Sequence, residues 1–172
     1  MILASASKAR LSLIEKTGFF HKVIVSDIEE DNFDDHNIKS LVEKLSFAKA
    51  ESVVSQLLNN KISPIQLGEI KAVIGCDSLF ELNNEILGKP KSHEEAIDRL
   101  KRLSSSTGFL HTGHCLLYRK ISNKKRAFEF EGIIKEVIST KVEFNEISYA
   151  EILNYIKSEE PMQSAGGFNL EG

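Results

Sequence analysis

Short apolar runs punctuate the chain and predict its strands. Three of them, Ile2–Ala4, Val23–Val25 and Ala72–Ile74, are bounded by polar residues or glycine, as buried strands usually are. Two longer runs, at residues 109–118 and 128–144, predict extended strands in the second half of the chain. The chain therefore contains five segments with a clear strand pattern.

Helical periodicity is clearest over residues 38–58. The apolar face of this helix is marked by Leu41, Val42, Leu45, Ala48 and Ser52. Lys44 and Lys49 lie off that face, and a helix lysine outside an apolar stripe is usually solvated. The pattern therefore predicts that both lysines face solvent.

Serine residues mark the beginnings of three further helices. Ser7 is the predicted N-cap of a helix near the start of the chain, which Gly18 is expected to end. Ser92 begins a capping box, because a glutamate follows three residues later. Ser148 is the predicted N-cap of a helix within residues 146–156.

The turn after Ile2–Ala4 has the layout of an anion site. Ser5 and Ser7 lie between a strand and a helix N-terminus, where free N–H groups and the helix dipole attract negative charge. Lys8 and Arg10 add positive charge to the first helical turn. These two side chains are either solvated or are held there by a bound anion, and the pattern alone leaves both alternatives open.

A single carboxylate, Asp77, follows the apolar run Ala72–Ile74. An ionised carboxylate at the opening of a buried strand costs several kcal/mol unless it is hydrated, paired or bound to a metal. Gly75, two residues earlier, permits close approach of another backbone segment. Judged by its position in the strand alone, Asp77 could equally be a charge that the surrounding structure compensates or a residue held there for catalysis.

A hairpin is predicted after the Asp77 strand. Asn83–Asn84 forms a tight turn, and the following residues return beside the strand that they have just left. This hairpin directs Lys89 towards the same end of the sheet as Asp77. Because Gly88 and Pro90 flank it, Lys89 is expected to be more restrained than an ordinary surface lysine.

Residues of the types that ligate metals occur in two places. The acidic loop Asp27–Asp35 is either solvated surface or offers Glu29 or Glu30 to a divalent cation, and its spacing matches no calcium loop. His111 and His114 are three residues apart on a predicted strand, so they face opposite sides and cannot chelate one ion together.

Composition narrows the function classes. The chain has 172 residues, 41% hydrophobic and 27% charged, with a net charge of −3. It lacks a basic footprint for nucleic acid or anionic membrane, an apolar run long enough for a membrane helix, and a secretory signal. Cys76 and Cys115 are expected to be reduced core thiols. We therefore expect a cytoplasmic protein that binds neither nucleic acid nor membrane.

Seven separated motifs together point to a known family. They are Leu3–Arg10, Ala48–Ala50, Val73–Asp77, Leu87–Pro90, Thr112–Gly113, Glu160–Pro161 and Ala165–Gly172. In this order they span nearly the whole chain. The chain thereby resembles the Maf family of nucleoside triphosphate pyrophosphatases, and it is most similar to a cyanobacterial or actinobacterial branch.

The resemblance implies an architecture. The family has an α/β fold, an elongated mixed β-sheet flanked by helices in two lobes with a central cleft. Residues 1–172 would form a single Maf-like domain that lacks the family's C-terminal strand and helix. The family also implies a homodimer.

The resemblance also implies a reaction and its residues. A nucleoside triphosphate would be hydrolysed to the monophosphate and pyrophosphate with Mg²⁺ or Mn²⁺. Asp77 would be the proton acceptor or a metal ligand, and Glu30 would bind metal or order water. The triphosphate pocket would be lined by Ser5, Arg10, Lys49 and Lys89. The alternative is a catalytically impaired nucleotide-binding protein that regulates cell division, which the short C-terminus makes credible.

Three positions depart from the family pattern, the first from that of many relatives and the other two from that of relatives that prefer thymidine or uridine triphosphate. Ala9 replaces an arginine, Ser78 replaces a threonine, and Glu171 replaces a glutamine. A carboxylate only accepts hydrogen bonds, so Glu171 near the base would favour a base edge rich in donors, as in guanine. The resemblance thus implies the reaction, and it leaves the preferred base open.

Overall fold

The computed structural model describes residues 1–19, 21–59, 70–119 and 130–169. Within these ranges the strands are β1 (Ile2–Ala4), β2 (Lys22–Val23), β3 (Ala72–Leu82), β4 (Glu85–Leu87), β5 (Thr107–Tyr118) and β6 (Gly132–Glu143). The helices are α1 (Lys8–Lys16), α2 (Ile38–Leu58), α3 (His93–Leu103) and α4 (Tyr149–Ile156). Short 3₁₀ turns occupy Glu30–Asn32, Pro161–Gln163 and Ala165–Gly167. The described part of the chain has no helix with the length and apolarity needed to cross a membrane.

The strands form a mixed sheet in the order β2-β1-β3-β5-β6, with β4 paired to β3. β1 lies parallel to both β2 and β3, whereas β4 runs antiparallel to β3. The expected mixed sheet flanked by helices is therefore confirmed. The hairpin between β3 and β4 is also confirmed: Asn83 and Asn84 both have positive φ angles, as a two-residue hairpin turn requires.

Two strand predictions need correction. β2 covers only Lys22–Val23, although the next residue still donates its N–H to the carbonyl of Leu3. Asp77 does not lie at the end of its strand, because β3 continues through it to Leu82. The continuation reflects the alternation of buried positions beyond Asp77, including Phe80.

The serine caps are confirmed. Ser7 accepts a hydrogen bond from the N–H of Arg10, and Ser92 accepts one from the N–H of Glu95. The Glu95 carboxylate accepts the N–H of Lys91, so only the serine half of the predicted Ser92 capping box forms. Ser148 forms a full capping box with Glu151. Gly18, just past the end of α1, has a φ of 72°, which suits its predicted role in ending that helix. These features are local, so the sequence contains the information that fixes them.

The chain divides into two compact units. The first comprises Met1–Asp77 and Gly113–Val137, and the second comprises Ser78–Thr112 and Ile138–Gly172. The core of the first unit contains Ile2, Ala4, Ala50, Val53, Leu57, Ile70, Val73, Cys115 and Leu117. The core of the second unit contains Phe80, Leu82, Leu87, Ala96, Leu100, Leu103, Val142, Ile152, Ile156 and Phe168. Each unit thus has its own apolar interior.

Cys76 and Cys115 are free and buried, as the sequence predicts. Burial raises the pKa of both thiols, and that of Cys115 rises to about 11. At pH 8 only about one Cys115 thiol in a thousand would be ionised, and the thiolate is the reactive form.

We expect a thiol reagent such as DTNB to label less than about a tenth of the native protein at pH 8 within minutes. The same protein unfolded in urea should release two equivalents of the coloured product. Rapid native labelling of either thiol would contradict the burial described for it.

Candidate active site

The site in the first unit depends on close contact between α2 and the sheet. A Cβ atom on Gly75 would lie 2.1 Å from the carbonyl oxygen of Ser46 and 2.8 Å from the backbone nitrogen of Ala50. A Cβ on Gly113 would lie 2.1 Å from the carbonyl oxygen of Val42. The two glycines therefore let the α2 backbone rest directly on the backbones of β3 and β5.

This contact brings Lys49 of α2 to Asp77 of β3. The ammonium of Lys49 donates a short hydrogen bond to Oδ1 of Asp77. It also lies 2.8 Å from Oε1 of Glu30, in the 3₁₀ turn before α2. Lys49 and Asp77 are buried, with 9% and 5% of their surfaces exposed, whereas the side chain of Glu30 is 44% exposed. One cation is thus shared between a buried and a half-buried carboxylate.

The prediction that Lys49 faces solvent is wrong. The buried face of α2 includes Leu41, Leu45, Lys49 and Val53, while Ala48 is only half-buried. A spacing of four residues along Leu41, Leu45, Lys49 and Val53 is the signal that could have identified this face. Lys44, by contrast, is exposed and pairs with Asp35 at 2.6 Å.

Burial raises the pKa of Asp77, because an ionised carboxylate loses hydration there. The charge of Lys49 and its hydrogen bond oppose this effect, Glu30 adds to it, and Arg10 opposes it weakly. A carboxyl group with a raised pKa is a stronger base when it is ionised. Asp77 is therefore the titratable group of this site whose environment suits proton transfer.

Arg10 links the serine turn to the strand that carries Asp77. Its Nη1 donates to Oγ of Ser5 at 3.1 Å and to the carbonyl oxygen of Cys76 at 2.8 Å. Ser5 is buried, and its Oγ also accepts the N–H of Ser7 at 3.2 Å. The carbonyl partner of Arg10 could not be found from the sequence, because backbone acceptors leave no mark in it. Arg10 is thus a fixed cation beside the N-terminus of α1.

The remaining predicted residues, Lys89, Ser78 and Glu171, are not part of the described first unit. Lys89 belongs to the second unit, where it is exposed in the loop between β4 and α3. Ser78 is in the same unit, and its Oγ lies 2.9 Å from Oγ1 of Thr112. Glu171 falls outside the described residues. The contributions of these three residues therefore remain predictions.

Asp77 and Glu30 are the carboxylates of this site that could ligate a divalent metal. The described ranges contain no group of three or more His, Cys, Asp or Glu side chains placed to hold an ion. Mg²⁺, however, commonly uses one or two carboxylates and completes its shell with water and substrate phosphate oxygens. Asp77 and Glu30 both contact the ammonium of Lys49, so their carboxylate oxygens lie close together. They form a pair of the type that Mg²⁺ uses. The residues therefore fit a phosphate-bridged metal better than a protein-enclosed one.

Two cations and two carboxylates meet at this site. Arg10, Lys49 and Glu30 all act electrostatically on Asp77. Their formal charges cancel, so a ligand with several negative charges would require more positive charge than these four groups supply. The arrangement can bind an anion next to a buried base, with an added cation for charge balance.

The chain is similar to known proteins over its whole length. The model of the family described as "Maf-like protein" matches residues 1–172. A protein of Prochlorococcus marinus is 48% identical over 173 residues, which cover 100% of this chain and 82% of the relative. A protein of Synechococcus sp. (strain CC9605) is 40% identical over 171 residues, covering 99% and 85%. Both relatives are named "Nucleoside triphosphate pyrophosphatase".

Proposed function

Because the chain belongs to the Maf-like protein family, we propose that it hydrolyses a nucleoside triphosphate to the monophosphate and pyrophosphate. The observation that carries this proposal is the buried carboxylate of Asp77, held by Lys49 beside a serine turn and a fixed arginine. The activity named for the relatives from Prochlorococcus and Synechococcus supports the same reaction.

In this reaction Asp77 receives the proton of the attacking water. Lys49 engages Oδ1 of the carboxylate, which leaves Oδ2 as the oxygen that would take the proton. Water attacks phosphorus, the bond joining the α-phosphate to pyrophosphate breaks, and the electron pair leaves with pyrophosphate. Burial suits Asp77 to this task because it raises the basicity of the carboxylate.

The positive groups bind the substrate phosphates. Arg10, the N–H groups at the start of α1 and Lys49 would offset the charge that develops on the phosphate oxygens. Lys89 is proposed as a further cation that binds the substrate phosphates. Ser5 orients Arg10 through their hydrogen bond. Because its side chain is neutral, it adds no charge of its own.

A divalent metal completes the charge balance. With Asp77 as the base, Glu30 is the residue that would hold Mg²⁺ or Mn²⁺, together with phosphate oxygens. Bound there, the ion would supply positive charge that the four side chains of the site do not provide. Glu30 is half-exposed, so its exchange from Lys49 to a metal requires little rearrangement.

A substrate panel tests the proposal. The protein is incubated with ATP, GTP, CTP, UTP and dTTP and with MgCl₂ or MnCl₂, and the products are separated and quantified. We expect equimolar nucleoside monophosphate and pyrophosphate from at least one triphosphate, with no turnover when EDTA is present. Asp77→Asn, purified identically, controls for contaminating phosphatases.

Two other outcomes would contradict the proposal. Release of orthophosphate and nucleoside diphosphate would indicate cleavage of the terminal phosphate. Nucleotide-dependent thermal stabilisation without turnover of any triphosphate would instead favour the nucleotide-binding alternative with impaired catalysis.

A further inference from the structure

One side of the loop that carries Lys89 is held at a backbone carbonyl. The carbonyl oxygen of Gly88 accepts a hydrogen bond from Nη1 of Arg99 at 2.6 Å. The same oxygen accepts the N–H of Gly166 at 3.0 Å. One donor comes from α3 and the other from the 3₁₀ turn Ala165–Gly167, so the residue before Lys89 is fixed from two sides.

The other side of the loop is fixed by the same helix. The N–H of Lys91 donates to Oε2 of Glu95 at 2.7 Å. Oε1 of Glu95 accepts Nη2 of Arg99 at 2.5 Å. Arg99 and Glu95 therefore form a hydrogen-bonded pair that contacts the loop on both sides of Lys89.

The Arg99–Glu95 pair is less exposed than an ordinary surface ion pair. The side chain of Arg99 is only 11% exposed, compared with 38% for Arg102 on the same helix. A guanidinium can donate in two directions at once from a rigid plane, whereas a lysine ammonium has no such fork. The arginine thus sets the distance between the Gly88 carbonyl and the Glu95 carboxylate.

Resting on the function proposed above, we propose that Arg99 is a positioning residue for Lys89. It acts through the Gly88 carbonyl and through Glu95, and it preorganises the loop before the triphosphate binds. Lys89 itself is exposed and would otherwise lose freedom when it binds phosphate. With Arg99 in place the backbone part of that loss is already incurred on folding, so the benefit appears in substrate binding.

The proposal predicts a specific kinetic pattern for Arg99→Met. We expect KM for the triphosphate to rise about tenfold, the size of effect typical of a lost charged hydrogen bond. The kcat should stay within about threefold of wild type, since Lys89 can still be ordered once substrate is bound. Arg99→Lys keeps the charge and one hydrogen bond, so it should recover part of the loss in KM.

A double-mutant cycle with Lys89→Met separates positioning from general structural support. If Arg99 acts through Lys89, Arg99→Met should have little further effect on KM when Lys89 is already methionine. Arg102→Met is the matched control, because Arg102 lies on α3 and pairs with Glu85 at the surface. We expect this control to leave KM and kcat unchanged, as exposed ion pairs contribute little.

The outcomes distinguish failure of this inference from failure of the proposed function. If Lys89→Met raises KM but Arg99→Met does not, Arg99 does not position Lys89 and the inference is wrong. Equal effects of Arg99→Met in the two backgrounds would likewise overturn it, since they would show a purely structural role. If wild type hydrolyses no triphosphate, the proposed function is wrong. If Lys89→Met leaves KM unchanged, Lys89 does not bind the substrate, and the inference about Arg99 is wrong with it.

Discussion

Replacing Asp77 with asparagine should lower kcat for triphosphate hydrolysis about a thousandfold, the scale associated with loss of a general base. Asparagine has nearly the same shape and can still accept a hydrogen bond from Lys49, but it cannot take a proton. Lys49 also keeps its second partner, Glu30, at 2.8 Å. The loss of rate should therefore come from the chemistry, with the surroundings of residue 77 preserved.

The stability of Asp77→Asn should be equal to or higher than that of wild type at pH 7. Burial raises the pKa of Asp77 in the folded protein, so the folded state binds this proton more tightly than the unfolded chain does. Ionisation of Asp77 therefore lowers stability, and the loss accumulates as pH rises from the ordinary pKa of 3.8 through the folded pKa. Asparagine carries no charge, so this penalty is removed.

Asp35→Asn is a matched control with the opposite expected signs. Asp35 is also paired with a lysine of α2, and hydrogen bonds from Lys44 and Ser40 hold its pKa well below the usual range. Its ionised form thus stabilises the folded state above the ordinary pKa, and that contribution is lost as pH falls through the lower folded pKa. Asp35→Asn should be somewhat less stable than wild type and fully active.

Thermal melting and steady-state kinetics of Asp77→Asn and Asp35→Asn test these predictions. If Asp77→Asn melts well below wild type, Asp77 has a structural role that the buried pair alone does not explain. If it retains more than about a tenth of wild-type kcat, Asp77 is not the base, since loss of one removes at least a hundredfold.

Replacing Gly75 with alanine should lower the free energy of unfolding by about 3 kcal/mol, at the upper end for inserting one carbon into a packed interior. The new Cβ would meet backbone atoms of α2, at 2.1 Å from the Ser46 carbonyl oxygen and 2.8 Å from the Ala50 nitrogen. Helix backbone cannot rotate away as a side chain can, so α2 must move off β3. Lys49 moves with it, and the fraction that remains folded should lose most of its activity.

Gly88→Ala is the stability control for this prediction. A Cβ on Gly88 would have one neighbour within 4 Å, Cδ2 of Leu79 at 3.8 Å, which is ordinary contact. Its free energy of unfolding should stay within about 0.5 kcal/mol of wild type. Urea unfolding of both variants provides the measurement, and equal stability of the two would show that α2 does not rest on the β3 backbone as described.

Much of the framework follows from local sequence. The helix over Ile38–Leu58, the Asn83–Asn84 hairpin and the serine caps were all predicted, because their signals lie within a few residues of the features they specify. Gly75 was also recognised as a point of close approach, which follows from its missing side chain. The seven ordered motifs predicted the family, which the match over residues 1–172 confirms.

The face of α2 that packs on the sheet was decided by tertiary structure. The sequence offers two stripes of similar apolarity, one through Ala48 and one through Lys49. The second is buried because the backbone of α2 fits onto the glycines of β3 and β5, which lie far away in the chain. A buried lysine is tolerated only where a carboxylate compensates it, and Asp77, 28 residues later, does so.

The sequence by itself pointed to the residues that we propose for the chemistry: a carboxylate after a glycine in a strand, a serine turn, and a lysine between glycine and proline. It could not determine how those residues are held, because Arg10 bonds a backbone carbonyl and Arg99 another. Backbone acceptors are the same in every residue, so only the fold shows which of them meets a given side chain.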